Sequence, residues 1–258
     1  TDHLGRIGRA IGRMHSQLDH HLRVVVQGHT GVLDGSDLGG GGHTAGLQGL
    51  VRFRALHHLA DPPEGKTHVE ACTLPMNGLT ARQSLDLLSL SPGQSIAITG
   101  AAGAYGGYVV QLAKAGGLTV IADASEADEG LVTSLGADIV VPRGDDVAAR
   151  IRKHFPDGVD GLADGAVLKE LVIPALRDGG VFTSVRGFQG VVQRGIKFTT
   201  TSVREYDGEF EKLDRLRQQV EGGEITLRVA SVYPPHQVAK AHHRLEAGGT
   251  RGRLVIEF

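Results

Sequence analysis

Residues 94–123 read QSIAITGAAGAYGGYVVQLAKAGGLTVIAD. Ser95 to Thr99 is a short apolar run carrying Ile96 and Ile98, opened by Pro92-Gly93 and closed by Gly100. A run of this kind predicts a strand covered on both faces. Gly100, Gly103 and Gly106 then recur at every third position, and Val109, Val110, Leu112 and Ala113 begin an apolar helical face. Leu118 to Ala122 is a second apolar run, ending at Asp123. Strand, glycine turn, helix and strand together have the length of a βαβ crossover.

A dinucleotide gives each of these features a use. Glycines allow a sharp turn, let backbone N–H groups approach a pyrophosphate, and let the helix pack close to the strand. The helix N-terminus adds oriented N–H groups and the positive end of a dipole. The bland alternative is a glycine-rich turn in an α/β sheet with no ligand. A P-loop is excluded, because Gly106-Gly107-Tyr108 lacks the Lys-Ser/Thr pair that closes it. The short-chain dehydrogenases are excluded too: Ala104 stands where their middle glycine would be, and no tyrosine is followed four residues on by lysine.

The chain has 258 residues and a formal charge of −2, enough for one large or two small domains and with no basic excess for nucleic acid or an anionic membrane. A single cysteine, Cys72, rules out an internal disulfide and a multi-cysteine zinc site. No apolar run reaches the roughly 18–20 residues of a membrane span, and no signal-peptide core opens the chain. The expectation is a cytoplasmic protein.

Residues 1–61 differ from the rest. Nine of the 13 histidines precede residue 70, Gly39 to Gly42 are consecutive, and only Leu22 to Val26 suggests a strand. His20, His21, His29, His57 and His58 lack the spacing of a zinc helix or finger, so adventitious metal binding is expected there at most. After the turn-rich Asp61 to Gly65, Thr67 and Glu70 form a capping-box pattern. Pro75 is expected to interrupt that helix, with a second from Leu79 to Leu90. Beyond Asp123, helices are predicted at Leu131–Leu135, Val147–Phe155, Val167–Leu176, Asp207–Val220 and Pro235–Glu246. Strands are predicted at Asp138–Val141, Val159–Ala163, Val181–Val185, Ile196–Val203, Ile225–Val232 and Leu254–Phe258, with Asp178-Gly-Gly180 as a helix stop. Alternating strands and helices argue for a doubly wound parallel sheet, the Rossmann architecture.

LPMNGLTA from Leu74, SPGQSIAITGAAGAYGGYVVQLAKAGG, LGAD from Leu135, ALRDGGVF from Ala175 and the closing LEAGGTRGRLVIEF appear in order. With these the chain resembles the medium-chain dehydrogenase/reductases, and within them the zinc-free quinone oxidoreductase branch, from about residue 62 to the end. The resemblance implies three regions: 1–61, an atypical, truncated GroES-like or partly disordered segment; 62–224, a dinucleotide-binding Rossmann domain with leading hinge helices; and 225–258, completing the catalytic domain. Zinc-dependent members use a cysteine and a GHE-type histidine near the N-terminus; Gln27 to Thr30 echoes only part of this, so no zinc is expected.

By family position, Asn77 and Thr80 would approach the nicotinamide, although Thr80 can equally stabilise a helix start. Gly100, Gly103, Ala104, Tyr105 and Gly106 would form the pyrophosphate turn. Val185, Arg186 and Gly187 would face the carboxamide, and Val203 and Arg204 would close over the ring. Arg251 and Arg253 would contact phosphate, or merely flank the final strand. At the end of the second strand Asp123 suits the ribose hydroxyls of NAD(H), whereas the family register puts Ala124 or Ser125 at the deciding place. That favours NADP(H) slightly over NAD(H), although Glu126, Asp128 and Glu129 follow and no lysine or arginine is near in sequence.

The function so implied is an oxidoreductase that moves hydride from NAD(P)H to a quinone or other activated enone without metal. The rivals are a dinucleotide-binding relic without turnover and a zinc-type alcohol dehydrogenase. A homodimer is implied, with the strand near Ile196 to Val203 as the pairing edge.

Overall fold

The computed structural model describes residues 62–191, 193–206 and 208–258, together with the backbone of Val24–Val25. The described residues fall into two compact units, 76–226 and, separately, 62–75 with 227–258 and Val24–Val25.

The larger unit is built on six parallel strands: β2 (Ser95–Thr99), β3 (Thr119–Ala124), β4 (Ile139–Pro142), β5 (Val159–Asp164), β6 (Leu176–Ser184) and β7 (Lys197–Thr200). Their order across the sheet is β4-β3-β2-β5-β6-β7, with every pair parallel. Counted from β2, this is the 3-2-1-4-5-6 order of the dinucleotide-binding doubly wound fold, with its reversal between β2 and β5. β2 is buried along its whole length, as its unbroken apolar run requires. Ala97, Ile121, Leu162, Val172, Leu176 and Phe182 form one core, where each full-sized apolar side chain contributes about 1.5–3 kcal/mol.

The helices of this unit are α2 (Leu74–Leu88), α3 (Ala104–Ala115), α4 (Glu129–Ser134), α5 (Val147–His154) and α6 (Phe210–Glu221). Gln111 of α3 accepts hydrogen bonds from the backbone N–H and the hydroxyl of Thr226, tying the end of the unit to its first crossover helix.

The smaller unit contains α1 (His68–Ala71), β8 (Val229–Tyr233), α7 (Val238–Glu246) and β9 (Arg253–Ile256), with β1 (Val24–Val25) antiparallel to β9 and β8 parallel to it. Val238, Ala241, Leu254 and Ile256 make its core. α1 starts in the reciprocal capping box expected of Thr67 and Glu70.

Three expectations are corrected. The second helix begins at Leu74 rather than Leu79 and runs through Pro75, because a proline in the first turn removes an N–H that has no helical partner. The helix expected at Val167–Leu176 is a 3-10 segment, Lys169–Ala175. Asp164 explains the difference: its carboxylate takes the N–H groups of Leu168 (3.0 Å) and Lys169 (2.9 Å), with Val167 and Lys169 in the left-handed region at φ 59° and 56°. Finally, Asp178-Gly-Gly180 does not stop a helix but lies within β6, where the register jumps from Val159↔Leu176 to Gly161↔Val181. The extra residues form a bulge. Elsewhere boundaries shift by a few residues: β8 begins at Val229 instead of Ile225, and the last helix is preceded by a 3-10 turn at Pro235–Gln237.

Candidate functional site

β2 ends in the glycine turn, beside the reversal of strand order where this class of sheet opens a crevice. Gly100 has φ +67°, and a Cβ on it would meet Ala166 N at 3.1 Å. At Gly106 a Cβ would lie 2.3 Å from Gly100 O and 2.8 Å from Ala101 Cα, so this residue must be glycine for α3 to start so close to the turn. Gly103 is the N-cap of α3 and has no side chain with which to cover the helix end. The first N–H groups of α3 therefore point out of the sheet edge without intrahelical partners, in the arrangement that takes phosphate oxygens.

Asp123 lies beneath this turn. It is buried, and its Oδ1 accepts from Gly100 N at 2.7 Å and Ala101 N at 3.4 Å. Burial pushes its carboxyl above the usual range, against the pull of those two N–H groups and of the Arg143 charge. The carboxylate that sequence reading offered to a ribose thus holds the glycine turn in shape. Ser125 follows β3 and donates its hydroxyl to Asp128 Oδ2.

Tyr105 opens α3, and its ring packs where a Cβ on Gly165 would fall. Its hydroxyl is 2.8 Å from Ser84 Oγ of α2; Ser84 Oγ is 2.8 Å from Thr201 Oγ1, which is 2.9 Å from Thr183 Oγ1 of β6. Burial drives the phenol well above its ordinary range, the Ser84 hydrogen bond opposes this, and the Asp164 charge adds to it. Tyr105 is therefore a neutral strut between α2 and the turn. Asp164 also accepts from Thr99 Oγ1 at 2.6 Å, joining the ends of β2 and β5.

Within the larger unit, the residues read from sequence gather at the carboxyl edge of the sheet. Gly100, Gly103, Ala104, Tyr105 and Gly106 follow β2, Asp123 and Ser125 end β3, and Val185, Arg186 and Gly187 follow β6. Val203 and Arg204 lie in the 3-10 turn after β7, with Arg204 exposed. Asn77 and Thr80 are on α2, which is tied to the same edge through Ser84 and through Gln83 to Glu205 at 3.1 Å. Thr80 lies within α2 rather than at a helix start, and its hydroxyl donates to Met76 O at 2.6 Å. Asn77 is 4% exposed and its Nδ2 has no hydrogen-bond partner among the described residues. Arg251 is in the other unit, before β9, and Arg253 is in β9 itself.

Sequence reading missed Ser84, Thr201, Asp164 and Arg143, none of which belongs to a short motif. Among the described residues no group of three or more His, Cys, Asp or Glu could hold a metal; the histidines before residue 61 and Gln27 to Thr30 lie outside them. Among the described residues no helix is long and apolar enough to cross a membrane.

Sheet order, glycine turn and crossover helix define a Rossmann-type doubly wound domain. Residues 135–256 match the zinc-binding dehydrogenase family. The chain is 29% identical over 238 residues to 2-methylene-furan-3-one reductase of Solanum lycopersicum, covering 88% of this chain and 58% of the relative. It is 30% identical over 213 residues to the chloroplastic NADPH-dependent alkenal/one oxidoreductase of Arabidopsis thaliana, covering 80% and 52%. A mycobacterial protein solved with NADPH superposes with a TM-score of 0.68 at 24% identity, over 77% of this chain and 67% of that one. In sequence the chain is similar to the zinc-binding dehydrogenases and to these reductases. It spans only a little over half the length of these two curated relatives.

Proposed function

We propose that this chain carries the cofactor-binding part of an NAD(P)H-dependent oxidoreductase that reduces a quinone or another conjugated enone without metal. The observation that carries the reading is the cradle at Gly100–Gly106, whose open side is a helix N-terminus and whose closeness excludes even a methyl group at Gly106. The reductase relatives named above support the reaction class.

The residues fit a dinucleotide as follows. The N–H groups at the start of α3 hold the pyrophosphate, and Asp123 keeps their turn rigid from below. Val185, Arg186, Gly187, Val203 and Arg204, after β6 and β7, border the nicotinamide end. Asn77 offers a buried N–H donor without a partner among the described residues, suited to a carboxamide or to the oxygen of an acceptor. Reduced nicotinamide supplies hydride, and these residues orient it and exclude water. β7, at the end of the sheet order, is the edge through which we infer pairing of two copies. The composition suits the cytoplasm.

The test is to add a quinone, then a conjugated alkenal, to the protein with NADPH and to follow loss of reduced-nicotinamide absorbance. Acceptor-dependent oxidation that is insensitive to a chelator is expected. Binding without oxidation of any acceptor would reduce the reading to a nucleotide-binding protein, and loss of activity on chelation would remove its metal-free part.

A further inference from the structure

β7 ends at Thr200 on the carboxyl edge of the sheet, and the chain then crosses to α6 through Thr201 and the 3-10 turn Val203–Tyr206. Thr201 N donates to Ser184 O at 3.0 Å. Beyond it, among the described residues, the backbone bonds of the crossing are local, with Glu205 N on Ser202 O at 2.9 Å and Glu209 N on Tyr206 O at 3.1 Å. What ties the turn to the rest of the unit is a row of side chains on α2. Ser84 Oγ meets Thr201 Oγ1 at 2.8 Å, Gln83 Nε2 donates to Glu205 Oε2 at 3.1 Å, and the Tyr206 hydroxyl donates to Asp86 Oδ2 at 2.6 Å. Ser84 also bonds Tyr105, so α2 holds the glycine turn and the turn after β7 at once.

The outermost of these contacts is a cluster. Besides the phenol, Asp86 takes the Arg82 guanidinium at 2.6 Å and the Lys212 ammonium at 3.3 Å, and Lys212 Nζ lies 5.1 Å from the centre of the Tyr206 ring. Arg82 is one turn back on α2 and Lys212 is in the first turn of α6, so one carboxylate joins a helix, the turn and the helix that follows it. Such charge-assisted bonds are about twice as strong as neutral ones. The Lys212 and Asp86 side chains are nonetheless 35% and 32% exposed, which leaves the cluster open to screening by salt. The Ser84–Thr201 bond is neutral and buried, and salt does not reach it. The inner contact is therefore fixed, and the outer one can let go.

We propose that Asp86 is a positioning residue that clamps the Val203–Tyr206 turn shut and so sets the rate at which a bound nicotinamide nucleotide leaves. The proposal rests on the cofactor reading above, in which Val203 and Arg204 border the nicotinamide end, and adds a control on release. In this role Asp86 acts through Tyr206 rather than on the nucleotide. A turn held by side chains opens locally without unfolding the sheet, and opening of this kind governs dissociation more than association. Loss of one half-exposed charge-assisted hydrogen bond corresponds to a rise of about 10-fold in the dissociation rate.

The experiment is stopped-flow displacement of NADPH by excess NADP+ from the full chain, as wild type, D86A, Y206F and D160N. It is run at about 0.1 M and about 1 M NaCl, which shortens the screening length from about 10 Å to about 3 Å. D160N removes a carboxylate bonded to Ser95 at the amino ends of β2 and β5 and controls for loss of stability alone. At low salt D86A should release NADPH about 10-fold faster than wild type, with association kept within about twofold. Y206F should release it faster by a smaller factor, because Lys212 keeps Asp86, and D160N should match wild type. At high salt wild type should approach D86A. Release from D86A at the wild-type rate, a gap unchanged by salt, or an equal acceleration in D160N would overturn the proposal and leave the dinucleotide site standing. If D86A did not fold, Y206F, which deletes a single hydroxyl, would decide the matter by the same criteria. Failure of wild type to bind NADPH would take down the cofactor reading and this inference together.

Discussion

Replacing Gly106 by alanine tests whether the approach of α3 to the glycine turn is as tight as the geometry requires. The new methyl would sit 2.3 Å from Gly100 O and 2.8 Å from both Gly100 C and Ala101 Cα, where nonbonded atoms rest at roughly 3.5–4.0 Å. All three obstacles are backbone, so no side chain can swing aside; either α3 moves or the turn does. Overpacking of this kind costs about 1–3 kcal/mol, and a purely backbone clash belongs at the upper end. For a chain of this size that lowers Tm by about 6–12 °C. Calorimetry or denaturant unfolding reads the stability, and nucleotide titration reads the site, whose N–H groups shift with the turn. The control is Gly130→Ala in α4, where a Cβ meets nothing within 4 Å and φ is not positive; it should be neutral or stabilising by up to about 1 kcal/mol. If G106A unfolded with wild type and bound nucleotide as tightly, the packing argument for the site would be wrong.

Substitutions at Asp123, Ser84 and Tyr105 probe the supports of the same edge, and one at Asp160 probes the amino ends of β2 and β5. Asp123→Ala strips the acceptor from Gly100 N and Ala101 N and should cost about 1–3 kcal/mol while weakening NADPH and NADH alike; selective loss of NADH would mean that Asp123 faces the ribose after all. Because its folded carboxyl titrates above the ordinary range, stability should fall as pH rises through that range, and in Asp123→Asn this fall should be missing from unfolding curves. Asp160 is the opposite case. Burial works against its charge, but hydrogen bonds from Ser95, Arg177 and Gln94 bring it from 3.8 down to about 2, so about 2 kcal/mol of stability is present above pH 4 and fades towards pH 2. D160N should lose that amount in urea unfolding at neutral pH, and its gap from wild type should close on acidification; a gap constant with pH would refute the assignment. Ser84→Ala unlinks Tyr105 from Thr201 and should cost about 1–3 kcal/mol, with Tyr105→Phe costing less because Ser84 keeps Thr201 and Thr80; equal losses would contradict the chain of hydroxyls.

Much of this edge was legible in sequence because its signals are local. The apolar run Ser95–Thr99, the glycines at every third position and the second run ending near Asp123 lie within thirty consecutive residues, and each maps to β2, the turn, α3 or β3. The Thr67–Glu70 cap was legible for the same reason. What failed depended on partners far along the chain. Val167–Leu176 has helical composition, but Asp164 captures two of its N–H groups and forces left-handed backbone at Val167 and Lys169. Asp178-Gly-Gly180 reads as a stop until β5 is laid alongside and the segment becomes a bulge. The bonds of Asp123 Oδ1 to Gly100 and Ala101 likewise appear only once the turn folds back onto it. Arg143 was invisible because only strand order brings it near Asp123.

The central claim is that the carboxyl edge of the six-stranded sheet binds a nicotinamide dinucleotide through the Gly100–Gly106 turn. Its most direct test is calorimetric titration of NADPH into the wild-type chain and into the G106A variant under the same conditions. The account predicts saturable binding to wild type and a loss of at least about tenfold in the variant, as a clash of this size at the phosphate cradle requires. Binding that is absent from wild type, or equally strong in both, would contradict it.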